Sequence, residues 1–205
     1  MRSFFDYYFR EKLPLTIFVF IIFVSGICFG AYGIKTVDYG LKKDLYDYFN
    51  TFIRDYNAFN QENNLLIWSG FKDNFLSFII ISISGFLVFT SPFIPFIIFL
   101  KGFVLGFSSS FFIMQYGYKG LLLAFLLIFP QNILLISAYI FTAVISINLS
   151  ISIIKYYRGT KRFLKKDIEH MIANILFWAL FIFAGVLIEI FLTPFLMKIV
   201  FKYLI

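Results

Sequence analysis

The chain of 205 residues has the composition of a membrane protein. Hydrophobic residues make up 61% of it and charged residues only 14%, whereas a soluble domain carries roughly 25% charge. Long charge-free runs favour membrane-spanning helices over the strands of a barrel, whose alternating segments are only about ten residues long. These features exclude an ordinary soluble enzyme or nucleic-acid-binding domain.

We therefore predict an all-α fold, a polytopic α-helical integral membrane protein that forms a single membrane domain over residues 1–205. It should have about five transmembrane helices with a broken or short central pair, together with an amphipathic extracytoplasmic helix. The net charge of +7 is concentrated in short segments that flank the apolar runs. The positive-inside rule explains this pattern without nucleic acid as a partner, because basic segments remain in the cytoplasm beside the lipid bilayer.

The first part of the chain predicts an interfacial segment followed by a first transmembrane helix. Residues 1–12 combine aromatic side chains with basic residues, which suits the cytoplasmic interface and a cytoplasmic N-terminus. Residues 13–34 carry no charge and are long enough to cross a hydrocarbon core of about 30 Å. Cys28 lies in this run and is the chain's single cysteine, so it cannot form an intrachain disulfide.

Residues 35–73 form a long polar segment that we expect outside the cell. Their acidic and basic residues nearly balance, and within them residues 40–59 show apolar positions at helical spacing, which predicts an amphipathic helix. Its apolar face could pack on the membrane surface or on the protein's own helices, or bind an extracytoplasmic partner. The residues proposed for such a partner face are Phe49, Phe52, Tyr56 and Phe59.

Prolines and glycines divide the central apolar runs. Pro92 and Pro95 predict that a second transmembrane helix, 74–91, ends near Ser91, because proline removes a backbone donor and strains the preceding turn. A short third transmembrane helix is predicted at 102–118, with a re-entrant hairpin as the alternative. A broken fourth helix is predicted at 120–154, where Pro130 interrupts the run.

The final third predicts a basic cytoplasmic loop and a fifth span. Residues 155–170 carry six basic residues against two acidic ones, so they should be cytoplasmic. With a cytoplasmic N-terminus, an even number of crossings must precede this loop, which requires 102–118 to cross the membrane. Residues 171–192 then form the fifth transmembrane helix, and the tail 193–205 lies outside.

The residue types needed for catalysis are scarce. His170 is the sole histidine and has no second histidine or cysteine near it in sequence, so a metal site is not indicated. The chain has no phosphate-binding loop of the Walker type and no dinucleotide fingerprint. We therefore expect no enzyme activity, no catalytic residues, no cofactor and no metal.

Small and polar residues within the apolar runs are the candidate functional positions. Gly26 with Gly30, and Gly102 with Gly106, form two GxxxG patterns that allow close helix packing, either within the chain or between two copies in a homodimer. Pro130, Gln131 and Asn132 predict a polar intramembrane kink. The two amides could stabilise the kink, or they could line a translocation path or a partner groove.

Glu189 is the single acidic residue within a predicted span. A carboxylate at mid-membrane depth costs about 2.5 to 3.5 kcal/mol on insertion scales and is usually paired or functional. Three interpretations remain open: placement at the outer interface, a hydrogen bond inside the helix bundle, or a role in binding an ion or substrate.

Several segments resemble the stage II sporulation protein M family. The resemblance rests on KGFVLGF at 101–107, FPQN at 129–132, a turn over 115–120 and Arg-Glu-x-x-Pro at 10–14. It is carried by the order and spacing of these segments over nearly the whole chain more than by any one of them.

The resemblance implies a membrane scaffold of engulfment in endospore-forming bacteria. Members of that family assemble with the peptidoglycan hydrolases called stage II sporulation proteins D and P, and localise them to the septal and engulfing membranes of the mother cell. The resemblance supplies no catalytic residues to carry over. A transporter or channel-like permease is the alternative function, based on Pro130, Gln131, Asn132 and Glu189. The resemblance also implies a kinship with membrane domains of ATP-driven exporters.

Overall fold

The computed structural model describes residues 4–58, 63–159, 165–193 and 195–196. Within these residues the chain is helical and contains no strand, so the predicted all-α membrane fold is confirmed. Seven α-helices are described: α1 Phe4–Thr36, α2 Tyr39–Ala58, α3 Asn63–Ser84, α4 Phe93–Tyr116, α5 Tyr118–Leu127, α6 Phe129–Tyr157 and α7 Lys165–Leu187. A 3₁₀ turn at Val88–Thr90 precedes α4, and a π-helical segment at Ile188–Leu192 extends α7.

Four of the described helical segments are long and apolar enough to cross a membrane. They are Leu13–Thr36, Val88–Tyr116, Phe129–Tyr157 and Met171–Leu192. Helix α3 is not among them; it carries Lys72 and Asp73 near its middle, and its longest charge-free stretch, 74–84, is short. By length and composition, the described residues thus contain four candidate membrane spans, where about five transmembrane helices were predicted.

The second predicted span has different boundaries in the structure. Helix α3 already ends at Ser84, and α4 begins at Phe93 with Pro92 at its N-cap. Proline is well tolerated at the start of a helix, because a backbone N–H group has no partner within the helix there. Pro92 and Pro95 therefore lie at the beginning of a helix and not at the end of one. As a result 102–118 is not a separate short span, and Lys101 lies inside α4 rather than between two helices.

The predicted broken helix is two helices joined at Ile128. Gly117 ends α4 with a φ of 57°, a conformation that glycine adopts at no steric cost. This turn sends α5 back along α4, and Gly120 packs against the backbone of Phe112. Pro130 lies in the first turn of α6, so the interruption falls two residues before the proline.

The directions of the helices follow from their contacts. Gly26 and Gly30 of α1 meet Phe99 and Phe103 of α4, so α1 and α4 run parallel. Helices α3 and α6 also run parallel, because Tyr139 bonds to Asn74 and Ser150 bonds to Gly85 further along both helices. Helix α7 is antiparallel to α6, since the Phe141 ring stacks on Trp178 and Leu135 meets Gly185.

Helix α6 occupies the centre of the bundle. In the most apolar stretch of α6, 61% of the residues are buried, against 17% to 22% in the corresponding stretches of the other three spans. Its buried residues pack with residues of α1, α3, α4 and α7 in one hydrophobic core. Side chains that line a site on α6 are therefore surrounded by other helices on most sides.

Candidate functional site

The four glycines of the two GxxxG patterns lie in one interface within the chain. A β-carbon at Gly26 or Gly30 would overlap the carbonyl oxygens of Phe99 or Phe103, respectively. Gly102 and Gly106 are equally close to the backbone of α1. Each helix thus offers its small residues to the backbone of the other, and the glycines pack α1 against α4 rather than pointing to a second copy.

The amphipathic helix α2 packs on the bundle along one edge. The Phe49 ring lies 5.1 Å from that of Phe112 and 6.3 Å from that of Tyr116, measured between ring centroids. Phe49 therefore belongs to a contact inside the protein. The side chains of Phe52 and Tyr56, and the whole of Phe59, lie outside the described residues.

A second edge of α2 is apolar and exposed. Leu41, Leu45 and Tyr48 are 60%, 37% and 75% exposed, respectively. Their spacing of four and three residues places them on one side of the helix. We call these three residues the exposed edge of α2.

Glu189 belongs to a hydrogen-bond network inside the bundle. Asn74 of α3 donates from Nδ2 to Glu189 Oε2 at 2.7 Å. The hydroxyl group of Tyr139 on α6 donates a hydrogen bond to Asn74 Oδ1 at 3.0 Å. Of the three interpretations of Glu189, the structure shows the hydrogen bond within the bundle.

The π-helical segment Ile188–Leu192 carries Glu189. A π-helix is rare, and single turns of it occur frequently at functional sites. One turn further, the Thr193 hydroxyl group donates a hydrogen bond to Gln131 Oε1. The irregular end of α7 is thus tied to both α3 and α6 by polar side chains.

Lys101 lies beside this network. Its Nζ lies 4.9 Å from the centre of the Tyr139 ring, which is a cation–π distance. Lys101 also interacts electrostatically with Asp73 and Glu189. No hydrogen bond from its ammonium group is described within the residues that the structure covers.

The three residues of the predicted polar kink have different roles. Pro130 begins α6, and Asn132 donates from Nδ2 to the carbonyl oxygen of Ile128 at 2.7 Å. Asn132 therefore caps the backbone at the junction between α5 and α6, as expected for a stabilised kink. Gln131 instead reaches α7 through Thr193.

These polar groups surround a cavity of about 600 Å³. Its charged and amide groups come from three helices and the π-helical segment: Asn74, Lys101, Gln131, Asn132 and Glu189. Pockets of this size are typical of small-molecule sites. A mostly apolar cavity of about 470 Å³ adjoins it, and four residues line both cavities: Leu105, Ile128, Asn132 and Ile136.

Sequence reasoning identified Glu189, Gln131 and Asn132 but not their partners. Lys101 looked like a boundary between two spans, because charge usually ends a transmembrane segment. Asn74 and Tyr139 carry no pattern that separates them from other polar residues near apolar runs. One signal was present: Lys101 is a lone cation between two long charge-free stretches.

Comparison with protein families identifies the chain. The family model described as stage II sporulation protein M matches residues 19–194. The chain belongs to the stage II sporulation protein M family. The match includes both glycine patterns, the polar cavity and most of the described helices. The comparisons with curated proteins and with solved structures found no match to this chain.

Family membership makes this a sporulation-related membrane protein, in agreement with the four apolar helices. No group of three metal-ligating side chains occurs in the part of the chain that the structure describes.

Proposed function

We propose that this protein is a non-catalytic membrane scaffold of the engulfment machinery, which recruits peptidoglycan-degrading partners to the septal and engulfing membrane. Membership of the stage II sporulation protein M family over residues 19–194 carries the proposal. The partners are the sporulation proteins D and P named above, and the N-terminus lies in the cytoplasm.

The helix packing supports a scaffold role. The reciprocal glycine contacts of α1 and α4 bring the two backbones together over two turns, and a close contact of this kind leaves little room for sliding. A rigid helix pair is suited to holding partner proteins at a fixed position in the membrane.

The exposed edge of α2 is the surface we propose for partner contact. Phe49 on the neighbouring edge fixes α2 to α4, so Leu41, Leu45 and Tyr48 are presented by an anchored helix. Three apolar side chains at helical spacing can enter a hydrophobic groove on a partner. With the cytoplasmic N-terminus proposed above, α1 would place α2 on the outer side of the membrane, where peptidoglycan hydrolases act.

Co-purification of the two hydrolases from sporulating cells tests this function. The test variant is Leu45→Asp with Tyr48→Asp, and the control is Lys43→Ser with Asp47→Ser, which changes the polar side of α2 and leaves the net charge unaltered. We expect the control to retain both hydrolases and the test variant to lose them, at equal membrane levels. Equal recovery from both variants would remove the exposed edge of α2 from the proposal.

The polar cavity favours a second candidate function, a transporter or channel-like permease. Lys101 and Glu189 line it from different helices inside an apolar bundle, and ionisable residues at such positions often mark substrate paths. Cysteines introduced at Ser77, Ser108 and Gln131 in a Cys28→Ser background would react with charged thiol reagents from both sides of the membrane if a path exists. Protection of all three positions would rule out this function.

A further inference from the structure

The polar cavity is lined by one basic and one acidic side chain, contributed by different helices. Lys101 extends from α4, and Glu189 from the π-helical end of α7. The Glu189 carboxylate is held by Asn74, which is held in turn by Tyr139. The anion is therefore fixed in position by side chains of two other helices.

The Lys101 ammonium group is held less completely. Its described contacts are the face of the Tyr139 ring and electrostatic interactions with Asp73 and Glu189. An ammonium group has three N–H donors, and no hydrogen bond from Lys101 Nζ is described among residues 4–58, 63–159, 165–193 and 195–196. A partly buried charge with free donors is a binding group for an anionic oxygen.

The balance of charge limits what the cavity can accept. A purely anionic molecule at Lys101 would be repelled by Glu189 and Asp73, and a purely cationic one at Glu189 would be repelled by Lys101, although Asp73 would attract it. A molecule that carries both signs satisfies both residues. The volume of about 600 Å³ is larger than an ion requires and is suited to a small organic group.

We propose that the polar cavity binds a zwitterionic group, with an anionic oxygen at Lys101 and an ammonium group at Glu189. Two sources share this chemistry: a free zwitterionic solute, and the headgroup of an aminophospholipid. The neighbouring, mostly apolar cavity, which shares Leu105, Ile128 and Ile136 with the polar one, could accommodate an acyl chain in the second case. The inference goes beyond the scaffold function and requires no transport.

The experiment measures binding to the purified full chain. In one arm, phosphoethanolamine is titrated by calorimetry against the protein in detergent, with glycerol phosphate and ethanolamine as singly charged comparators. In the other arm, native mass spectrometry counts the phosphatidylethanolamine retained from mixed vesicles, with phosphatidylglycerol as the comparator. Neither arm depends on hydrolases, so a failed scaffold function and a failed binding site can be told apart.

The variants are Lys101→Met and Glu189→Gln, and the matched controls are the exposed Lys43→Met and Asp44→Asn. Loss of a charge-assisted hydrogen bond weakens binding at least about tenfold. We therefore expect the affinity to fall by this factor in each test variant and to stay unchanged in both controls. Lys101→Arg should retain most of the affinity, which separates loss of charge from misfolding. Binding in the first arm alone identifies a free solute, and binding in the second alone identifies a headgroup.

Three results would overturn the proposal. They are binding in neither arm, equal binding of a singly charged comparator, and unchanged binding in both Lys101→Met and Glu189→Gln.

Discussion

Asn74 Nδ2 lies 2.7 Å from Glu189 Oε2, and this hydrogen bond joins α3 to the π-helical end of α7 across 115 positions of the chain. Replacing Asn74 by Leu removes the donor and leaves a carboxylate in the bundle without it, which costs about 1 to 3 kcal/mol of stability or more. We expect a lower midpoint of thermal unfolding in detergent for Asn74→Leu. Glu189→Gln should lower the midpoint less, because the side-chain oxygen of a glutamine still accepts a hydrogen bond from Asn74.

The comparison of these two variants is decisive. If Glu189→Gln and Asn74→Leu lower the midpoint equally, the hydrogen bond from Asn74 does not hold the Glu189 carboxylate in the folded protein.

The glycine contacts between α1 and α4 predict a strong dependence on side-chain size. A β-carbon at Gly106 would overlap the backbone of Ile27, and overpacking of a well-packed interface costs typically about 1 to 3 kcal/mol. We expect Gly106→Val to lower both the unfolding midpoint and the yield of folded protein. Gly40→Ala is the control, since nothing lies within 4 Å of a β-carbon there. It should be neutral or stabilising, because alanine favours a helix over glycine by about 0.5 to 1 kcal/mol.

Two buried serines on α6 form a matched pair. Ser150 Oγ donates to the carbonyl oxygen of Gly85 at 2.8 Å, whereas Ser146 Oγ is buried without a hydrogen-bond partner among the described residues. Ser150→Ala should therefore destabilise the protein by about 1 kcal/mol, and Ser146→Ala should be neutral or stabilising. Denaturation of the two variants in the same detergent checks the order, and a larger loss in Ser146→Ala would contradict it.

The contact between α2 and α4 predicts a coupling between aromatic rings. Phe49 and Phe112 are 5.1 Å apart in an edge-to-face arrangement, and such pairs contribute about 0.5 to 1.5 kcal/mol beyond their buried area. A double-mutant cycle of Phe49→Leu and Phe112→Leu should measure this coupling in thermal unfolding. The same cycle with Tyr48→Leu and Phe112→Leu should give a value near zero, because Tyr48 lies on the exposed edge of α2.

Much of the fold could be predicted from apolar run lengths and helical spacing. Charge-free runs identified the spans that begin near Leu13 and Met171, because hydrocarbon permits few other structures for such sequences. The position of the breaks was harder to predict, since proline can end one helix or begin another. At Pro92 and Pro130 it begins the helix, and this moved the boundaries of the central spans.

The candidate site could be predicted only in part for a similar reason. Glu189 stands out because carboxylates are rare within membrane spans, and the glycine patterns are visible by their spacing. The partners Asn74, Lys101 and Tyr139 are brought together by tertiary packing between helices far apart in sequence. No local pattern records that packing, so the network itself could not be inferred from the chain.

The parallel packing of α1 on α4 also determines an order of events during synthesis. Gly26 and Gly30 leave the ribosome long before Gly102 and Gly106, so α1 enters the bilayer with its small residues facing lipid. The pair can close only after the polar α2 region and the whole of α3 have been made and α4 has inserted parallel to α1. Until that moment the apolar length of the first helix alone holds it in the bilayer.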